Sequence, residues 1–290
     1  MRKKEIIEGE NFFLVKEQEK RWEDYPTIIK SSGYTSDRKA ITEPWLFTQI
    51  RTLPFRNRSN KPDPLIFEEN DRLVRFCFPL REVYDFYLKP NCKGIADAQA
   101  ELSSYINNSS KKFEFVGHSK GGLLFAGLEL KEPTKMALVA PTFGTIMGDE
   151  KRLKSCIKTY MCLEKSLSIW RKMELQVYEQ LAHIIGSRRP VDLDMALESD
   201  YLKTKNFDNL WKHQILLIIA EYSQARWNLQ DAFFSHVGDF LDMGKGDGIV
   251  SLFNQSRIRR YADEVMLVEA THPTVLHKPE TWIRLKSFFR

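Results

Sequence analysis

Long hydrophobic runs are missing from this sequence of 290 residues. The longest apolar run, ILLIIA at residues 215–220, is far shorter than the roughly 20 residues that span a bilayer. The first residues, MRKKEIIEGE, pass from basic to acidic side chains with no apolar stretch, which is not the pattern of a secretory signal. We therefore expect a cytoplasmic protein with no integral membrane segment.

Cysteine is also scarce, and a concentration of one charge sign is absent. The four cysteines (Cys77, Cys92, Cys156 and Cys162) form no CxxC pair, so reduced thiols are expected rather than a zinc or redox motif. The 44 basic residues are scattered and nearly balanced by 39 acidic ones, which gives a net charge of +5 and no basic stripe. A nucleic-acid partner is therefore not expected.

Short apolar runs alternate with helical patterns along most of the chain, which is typical of a mostly parallel sheet flanked by helices. Hydrophobic residues make up 42% of the composition, enough for a substantial core. The pattern predicts helices at 43–53, 94–106, 120–130 and 279–289, and strands at 12–17, 25–36 (ending in a polar, glycine-containing turn), 81–90, 111–119, 134–142 and 263–272. Alternation near 235–251 predicts a further strand that ends before Asp247.

Between residues 145 and 230 the strand pattern stops. Residues 160–185 have the 3.6-residue period of an amphipathic helix. Residues 210–227 are predicted as another helix, although their apolar centre could also form a strand. We expect a core made of residues 1–144 and 231–290, interrupted by a helical insertion at 145–230.

The stretch GHSKG places Ser119 between Gly117 and Gly121, after a predicted strand and before a predicted helix. In this G-x-S-x-G pattern a sharp turn exposes the serine hydroxyl, and glycines two residues to either side avoid a collision between strand and helix. The turn also directs the amide of Lys120 toward a developing oxyanion. The alternative is a chance match, in which the small residues only suit a tight turn.

Two later stretches offer the base and the acid that a serine nucleophile needs. Asp247 lies in the glycine-rich stretch GKGDGIV, and His272 follows the last predicted strand in EATHPTVLHKPE. Together with FVGHSKGG, these stretches resemble the nucleophile elbow, acid loop and histidine loop of the α/β-hydrolase superfamily, in its lipase and esterase branch. The resemblance covers residues 25–144 and 235–290.

The resemblance implies the α/β-hydrolase fold, with the helical insertion as a cap over the site. It also implies a catalytic triad of Ser119, Asp247 and His272 that needs no metal or organic cofactor. The family builds a second oxyanion donor after an early strand, which in this chain reads KSSGYTS and makes the amide of Tyr34 the candidate. Ser32 stands where the family often has histidine.

Several other residues could compete for these roles. His277 is the rival base, but in the family a proline-led helix begins some seven residues after the catalytic histidine, and Pro279 favours His272. Asp239 and Asp242 rival Asp247, although both lie within a predicted strand rather than beyond its end. His118 is expected to pack or hydrogen-bond beside the turn. The remaining histidines, which show no metal-ligand spacing and are expected to be structural or exposed, are His183, His213 and His236.

The expected function is a carboxylesterase or lipase that acts on a small-molecule acyl ester or a lipid-like substrate through an acyl-enzyme. A thioesterase or an amide hydrolase could use the same three residues, because the triad alone does not select the leaving group. A catalytically inactive protein of this fold, which binds a ligand, is the alternative from another class.

Overall fold

The computed structural model describes residues 5–18, 25–31, 74–89, 91–145, 190–197, 199–221, 245–247, 249–272 and 274–290. In these ranges eight strands form one sheet, in the order β1-β2-β4-β3-β5-β6-β7-β8. The strands are β1 (Ile6–Glu8), β2 (Phe12–Gln18), β3 (Thr27–Ser31), β4 (Val83–Leu88), β5 (Phe113–His118), β6 (Lys135–Val139), β7 (Gln214–Glu221) and β8 (Glu264–Glu269).

Strand direction divides the sheet into two parts. The two strands β1 and β2 pair antiparallel with each other, and β2 also pairs antiparallel with β4. All pairs from β4 to β8 are parallel, so the carboxyl ends of β3 to β8 share one edge of the sheet. In open α/β sheets, ligands bind beyond the carboxyl ends of the parallel strands, which is this edge.

Helices cover both faces of the sheet. Those with described bounds are α1 (Ile95–Asn107), α2 (Lys120–Ala126), α3 (Pro190–Leu193), α4 (Asp200–Thr204), α5 (Leu252–Gln255) and α6 (Pro279–Phe288), with 3-10 turns at Asp208–Lys212, Ser256–Tyr261 and Val275–His277. None of the helices in these ranges is long and apolar enough to cross a membrane.

Strand β7 shows how the core is divided between the two faces. Ile215, Leu217 and Ile219 belong to the hydrophobic cluster that includes buried residues of α1 and α2. Leu216 and Ile218 belong to the cluster on the opposite face, which includes buried residues of α6. A parallel strand that is buried on both faces needs apolar side chains at every position, which explains the run ILLIIA.

For residues 210–227 the preferred prediction of a helix is wrong, and the alternative that the apolar centre forms a strand is confirmed. Residues 214–221 form β7, which pairs with β6 on one side and β8 on the other. The sheet therefore includes part of the insertion predicted for 145–230, because burial on both faces removes the alternation that marks a strand. Residues 146–189 and 222–244 lie outside the described residues, and a cap there stays a prediction.

The segment from residue 190 onward packs on the core as well. Val191, Met195, Leu202 and Phe207 are buried in the same cluster as α1 and α2. Asp194 accepts a hydrogen bond at 2.6 Å from the amide of Ile95 at the start of α1. An acidic side chain at a helix N-terminus satisfies an amide that has no partner within the helix, so this segment is anchored to α1.

The remaining described predictions are confirmed within a few residues. The strands predicted at 12–17, 25–36, 81–90, 111–119, 134–142 and 263–272 correspond to β2, β3, β4, β5, β6 and β8. The helices predicted at 94–106, 120–130 and 279–289 correspond to α1, α2 and α6. The short strand β1 was not predicted. The helix predicted at 43–53 and residues 235–244 of the strand predicted near 235–251 lie outside the described residues.

A buried carboxylate holds the amino ends of several strands together. Glu82, which is 4% exposed, contacts Lys16 Nζ at 2.9 Å and Lys111 Nζ at 2.8 Å. The Thr27 hydroxyl donates to the same carboxylate at 3.1 Å. Burial opposes ionisation of Glu82, but the hydrogen bonds from Lys111 and Lys16 outweigh it and lower its pKa to about 2.

We expect Glu82→Gln to lower the free energy of unfolding at pH 7 by at least about 1 kcal/mol, because two lysines lose their charged partner. A depressed carboxyl pKa stabilises the fold above the pKa of the unfolded chain, about 4.3, and this contribution is lost as the pH falls toward 2. Urea unfolding of the variant and the wild type should therefore give curves that converge on acidification. Glu5→Gln, which removes a half-exposed partner of Lys16, is the control and should change stability much less. A constant gap between pH 7 and pH 3 would contradict this account.

Candidate active site

Ser119 lies at the turn between β5 and α2, in a backbone conformation that side chains rarely adopt. Its φ is 57° and its ψ is −125°. Such a residue costs of order 1–3 kcal/mol and persists only where the surroundings enforce it. Its amide donates to the Val139 carbonyl at 3.0 Å, and its carbonyl accepts from Gly122 at 2.9 Å and from Thr142 at 3.3 Å. These bonds hold the turn between β5 and α2 against the end of β6.

The flanking glycines are required by close backbone approaches. A Cβ on Gly117 would lie 2.5 Å from the carbonyl oxygen of Gly121. A Cβ on Gly121 would lie 2.6 Å from Ser31 Cβ and 2.7 Å from the Ser31 carbonyl oxygen, at the end of β3. Gly117 therefore allows β5 to approach α2 closely, and Gly121 allows α2 to approach β3 closely.

Asp247 lies in a turn shortly before α5, where its amide donates to the Val250 carbonyl at 3.2 Å, and its side chain is fully buried. Its Oδ1 accepts hydrogen bonds from the amides of Ile249 at 3.0 Å and Val250 at 2.7 Å. A buried carboxylate must be compensated by donors, and two backbone amides meet that need on one oxygen. The other oxygen, Oδ2, is left facing the histidine loop.

His272 follows β8 in a loop that is bonded to the loop of Asp247. The His272 amide donates to the Asp247 carbonyl at 2.9 Å. Within the histidine loop, the Thr271 amide donates to the Thr274 hydroxyl at 3.0 Å, and the two threonine hydroxyls lie 2.7 Å apart. The loop of the imidazole is thus bonded to the turn of Asp247 and closed internally by its two threonines.

The structure brings these three side chains into one hydrogen-bonded row. Asp247 Oδ2 lies 2.6 Å from His272 Nδ1, and His272 Nε2 lies 2.7 Å from Ser119 Oγ. The exposed fractions are 0% for Asp247, 5% for His272 and 6% for Ser119. A carboxylate only accepts here, so Nδ1 carries the hydrogen and Nε2 presents a lone pair to the hydroxyl. This arrangement can remove a proton from Ser119.

The other candidates from the sequence are distributed differently. Lys120 is the first residue of α2, directly after Ser119, and its side chain is buried. Tyr34, Asp239 and Asp242 lie outside the described residues, as does the side chain of His277. His183 and His236 also lie outside them.

His213 is buried directly before β7, at the amino ends of the parallel strands, and its contacts there are structural. Its Nδ1 accepts from the Thr134 amide at 3.3 Å. Burial, with Lys212 nearby, lowers its pKa to about 4. Among the described residues, no group of three or more His, Cys, Asp and Glu side chains is arranged to hold a metal ion.

Two buried residues that support the acid loop were not found from the sequence. Gln255 is fully buried; its Nε2 donates to the carbonyls of Ala220 at 2.9 Å and Val250 at 3.0 Å, which ties the acid loop to the end of β7. The Thr145 hydroxyl donates to the Ile249 carbonyl at 2.9 Å. No motif marks either residue, because glutamine and threonine are usually solvated and only the tertiary fold reveals their partners.

Comparison with known proteins gives structural matches only. No protein-family model and no curated protein sequence matches the chain. A lipase of Bacillus licheniformis in its mature form is 15% identical, with a TM-score of 0.56 over 96% of this chain and 97% of that one. Naproxen esterase (carboxylesterase NP) from Bacillus subtilis is 12% identical, with a TM-score of 0.51 over 99% and 91% of the chains.

A third solved structure is an α/β-hydrolase fold protein from Chitinophaga pinensis. It is 12% identical, with a TM-score of 0.50 over 99% of this chain and 96% of that one. At these identities the similarity shows a shared fold and not a shared activity. The resemblance that the sequence motifs indicated is therefore confirmed at the level of the fold.

We expect Gly121→Ala to lower the free energy of unfolding by about 1–3 kcal/mol, because the added methyl group would overlap backbone atoms of β3 that cannot move aside. The measurement is urea unfolding followed by circular dichroism. Gly94→Ala is the matched control: Gly94 has an extended backbone with φ of −170°, and its nearest neighbour is a side-chain oxygen of Asp194 at 3.1 Å. Equal losses in the two variants would contradict the proposed contact between the turn and β3.

Proposed function

We propose that this chain, which has the α/β-hydrolase fold, is a serine hydrolase that cleaves a carboxylic ester. The observation that carries the proposal is the continuous row from Asp247 through His272 to Ser119, with contacts of 2.6 and 2.7 Å. The row combines a nucleophile, a base within hydrogen-bond reach and a group that orients the base. It lies at the carboxyl edge of the parallel strands, where a substrate can approach.

In the first step, Ser119 Oγ attacks the carbonyl carbon of the ester while His272 Nε2 takes the hydroxyl proton. Asp247 keeps the imidazole in the required tautomer and stabilises the imidazolium that forms. The tetrahedral intermediate then collapses. His272 gives the proton to the leaving alcohol, and the acyl group remains on Ser119.

The negative oxygen of the tetrahedral intermediate needs backbone donors. The amide of Lys120 is the first candidate, because the turn at Ser119 is the conformation that presents this amide beside the nucleophile. Tyr34 is the second. Tyr34 follows β3 by three residues in the sequence, and Ser31, the last residue of β3, pairs with Gly117 on β5, two residues before Ser119. Each such donor is worth about 3–4 kcal/mol in comparable sites.

In the second step, His272 removes a proton from water, and the resulting nucleophile attacks the acyl carbonyl. The carboxylic acid leaves and Ser119 regains its proton. The reaction balances with the ester and one water molecule, so it needs no metal ion or organic cofactor. A thioester or an amide could enter the same cycle, since only the leaving atom differs.

The choice of an ester rests on two supports. Two of the structural neighbours are described as a lipase and an esterase. In the insertion predicted at 145–230, Leu, Met and Trp are also frequent, and a cap formed by this insertion would favour an apolar acyl chain. A ligand-binding protein without activity is disfavoured, because it would have no need for a strained serine aligned with a buried imidazole and carboxylate.

A fluorophosphonate probe tests the nucleophile. We expect the wild type to be labelled and Ser119→Ala to be unlabelled, because only an activated serine reacts at a useful rate. His272→Ala should lower the labelling rate by at least about 10³-fold, whereas His277→Ala should label nearly as the wild type does. In-gel fluorescence over time gives the rates. Absence of labelling in the folded wild type would favour the binding protein, and loss of labelling in His277→Ala alone would overturn the assignment of the base.

A panel of p-nitrophenyl esters tests the substrate class. We expect kcat/KM to be highest for short to medium acyl chains and to fall for long ones, because the predicted cap limits the length of the acyl pocket. Thioester and anilide analogues of the best acyl chain provide the comparison. A higher kcat/KM for the thioester, after correction for the intrinsic reactivity of each bond, would favour the thioesterase alternative.

A further inference from the structure

His118 is buried beside the catalytic row, although the proposed reaction does not use it. It is the last residue of β5, directly before Ser119, and only 3% of it is exposed. Its Nε2 lies 3.0 Å from the backbone carbonyl oxygen of His272. The residue that precedes the nucleophile therefore contacts the residue that carries the base.

The direction of this hydrogen bond follows from its acceptor. A backbone carbonyl oxygen only accepts, so Nε2 of His118 must carry the hydrogen. His272 has the opposite tautomer, because its Nδ1 donates to the Asp247 carboxylate at 2.6 Å. The two neighbouring imidazoles thus have different and complementary tasks: one donates to the main chain, and the other keeps a lone pair for Ser119.

The two rings are also in contact. Their centroids lie 4.9 Å apart and their planes are inclined by 36°. This separation is within the range of favourable aromatic pairs. His118 therefore limits rotation of the His272 imidazole on one side, while the Asp247 carboxylate holds its Nδ1.

The backbone of His272 is consequently held from two directions. Its amide donates to the Asp247 carbonyl at 2.9 Å, and its carbonyl accepts from His118 at 3.0 Å. Because His118 ends β5 and Ser119 follows it directly, this second bond ties the histidine loop to the segment that carries the nucleophile. Any shift of the loop relative to Ser119 must break or stretch it.

We propose that His118 is a positioning residue for His272: its Nε2–H holds the His272 carbonyl and so keeps Nε2 of His272 in line with the Ser119 hydroxyl. The proposal rests on the proposed function, because alignment matters only if His272 acts as the base. His118 acts on the rate through the distance and alignment between His272 Nε2 and Ser119 Oγ. Displacement of a reacting group by about 1 Å can lower a rate by about 100-fold.

Two substitutions separate the donor from the ring. His118→Gln keeps an N–H donor near the place of Nε2 but removes the ring, whereas His118→Phe keeps a ring of similar size but removes the donor. We expect His118→Phe to lower kcat for a p-nitrophenyl ester about 10- to 100-fold, with KM changed less than about threefold. His118→Gln should stay within about fivefold of the wild type, since the bond to His272 is retained. If the phenylalanine variant does not fold, His118→Leu, which removes both the ring and the donor, is compared with His118→Gln, which removes only the ring.

Proton NMR provides a readout that does not depend on turnover. The short bond between His272 and Asp247 should give a low-field Nδ1 proton signal in the wild type and in His118→Gln, and a broadened or missing signal in His118→Phe. A kcat within about twofold of the wild type in His118→Phe would overturn the proposal. So would an unchanged low-field signal in a variant of lowered activity, because the base would then still be in place.

The two proposals can fail separately. If the wild type neither hydrolyses esters nor reacts with a fluorophosphonate, the proposed function fails. The NMR comparison then decides the structural part alone: loss of the signal only where the donor is missing supports positioning by His118, and its persistence in both variants refutes it.

Discussion

The hydrogen bond between Asp247 and His272 is the interaction on which the rest of the site depends. The carboxylate is fully buried, and its second oxygen is occupied by two backbone amides. It can therefore orient the imidazole only by accepting from Nδ1, which leaves the lone pair of Nε2 directed at Ser119. If this bond were absent, the imidazole could present either nitrogen to the serine, and the base would be available only part of the time.

The sheet supplies the precision that this row needs. Ser119 follows β5 and His272 follows β8, while Gln255 ties the turn of Asp247 to the end of β7. The parallel arrangement brings the ends of these three strands to one edge. The positive φ at Ser119 raises the free energy of the turn, and the surrounding packing stabilises it in this conformation. Close approaches between the turn and β3 leave no room for a larger residue at position 121. The strain at the nucleophile is thus supported by the same core that forms the fold.

Residues whose chemistry is tied to a short local pattern could be predicted from the sequence. The glycine spacing around Ser119 has a steric cause that operates within five residues, and Asp247 and His272 were found by their order and loop context. Most strands were also predicted, because their alternation or apolar runs are local signals. Strand β7 was predicted only as the alternative to a helix, since burial on both faces gave it a continuous apolar run that a buried helix could share.

The supporting residues could not be predicted, and the reason is physical. Gln255 and Thr145 act through backbone carbonyls that are distant in sequence, and Glu82 is compensated by lysines on two other segments. Such contacts follow from the tertiary fold and leave no periodic or spaced pattern in the chain. His118 was expected to pack or hydrogen-bond beside the turn, but its partner, the carbonyl of His272, became evident only from the structure.

The most direct test of the account is to trap the acyl-enzyme. The wild type would be mixed with a p-nitrophenyl ester, quenched in acid within milliseconds, digested and analysed by mass spectrometry. The account predicts that the acyl group is attached to Ser119 and that its amount matches the initial burst of p-nitrophenol. Hydrolysis without acylation of Ser119, or acylation at another residue, would contradict it.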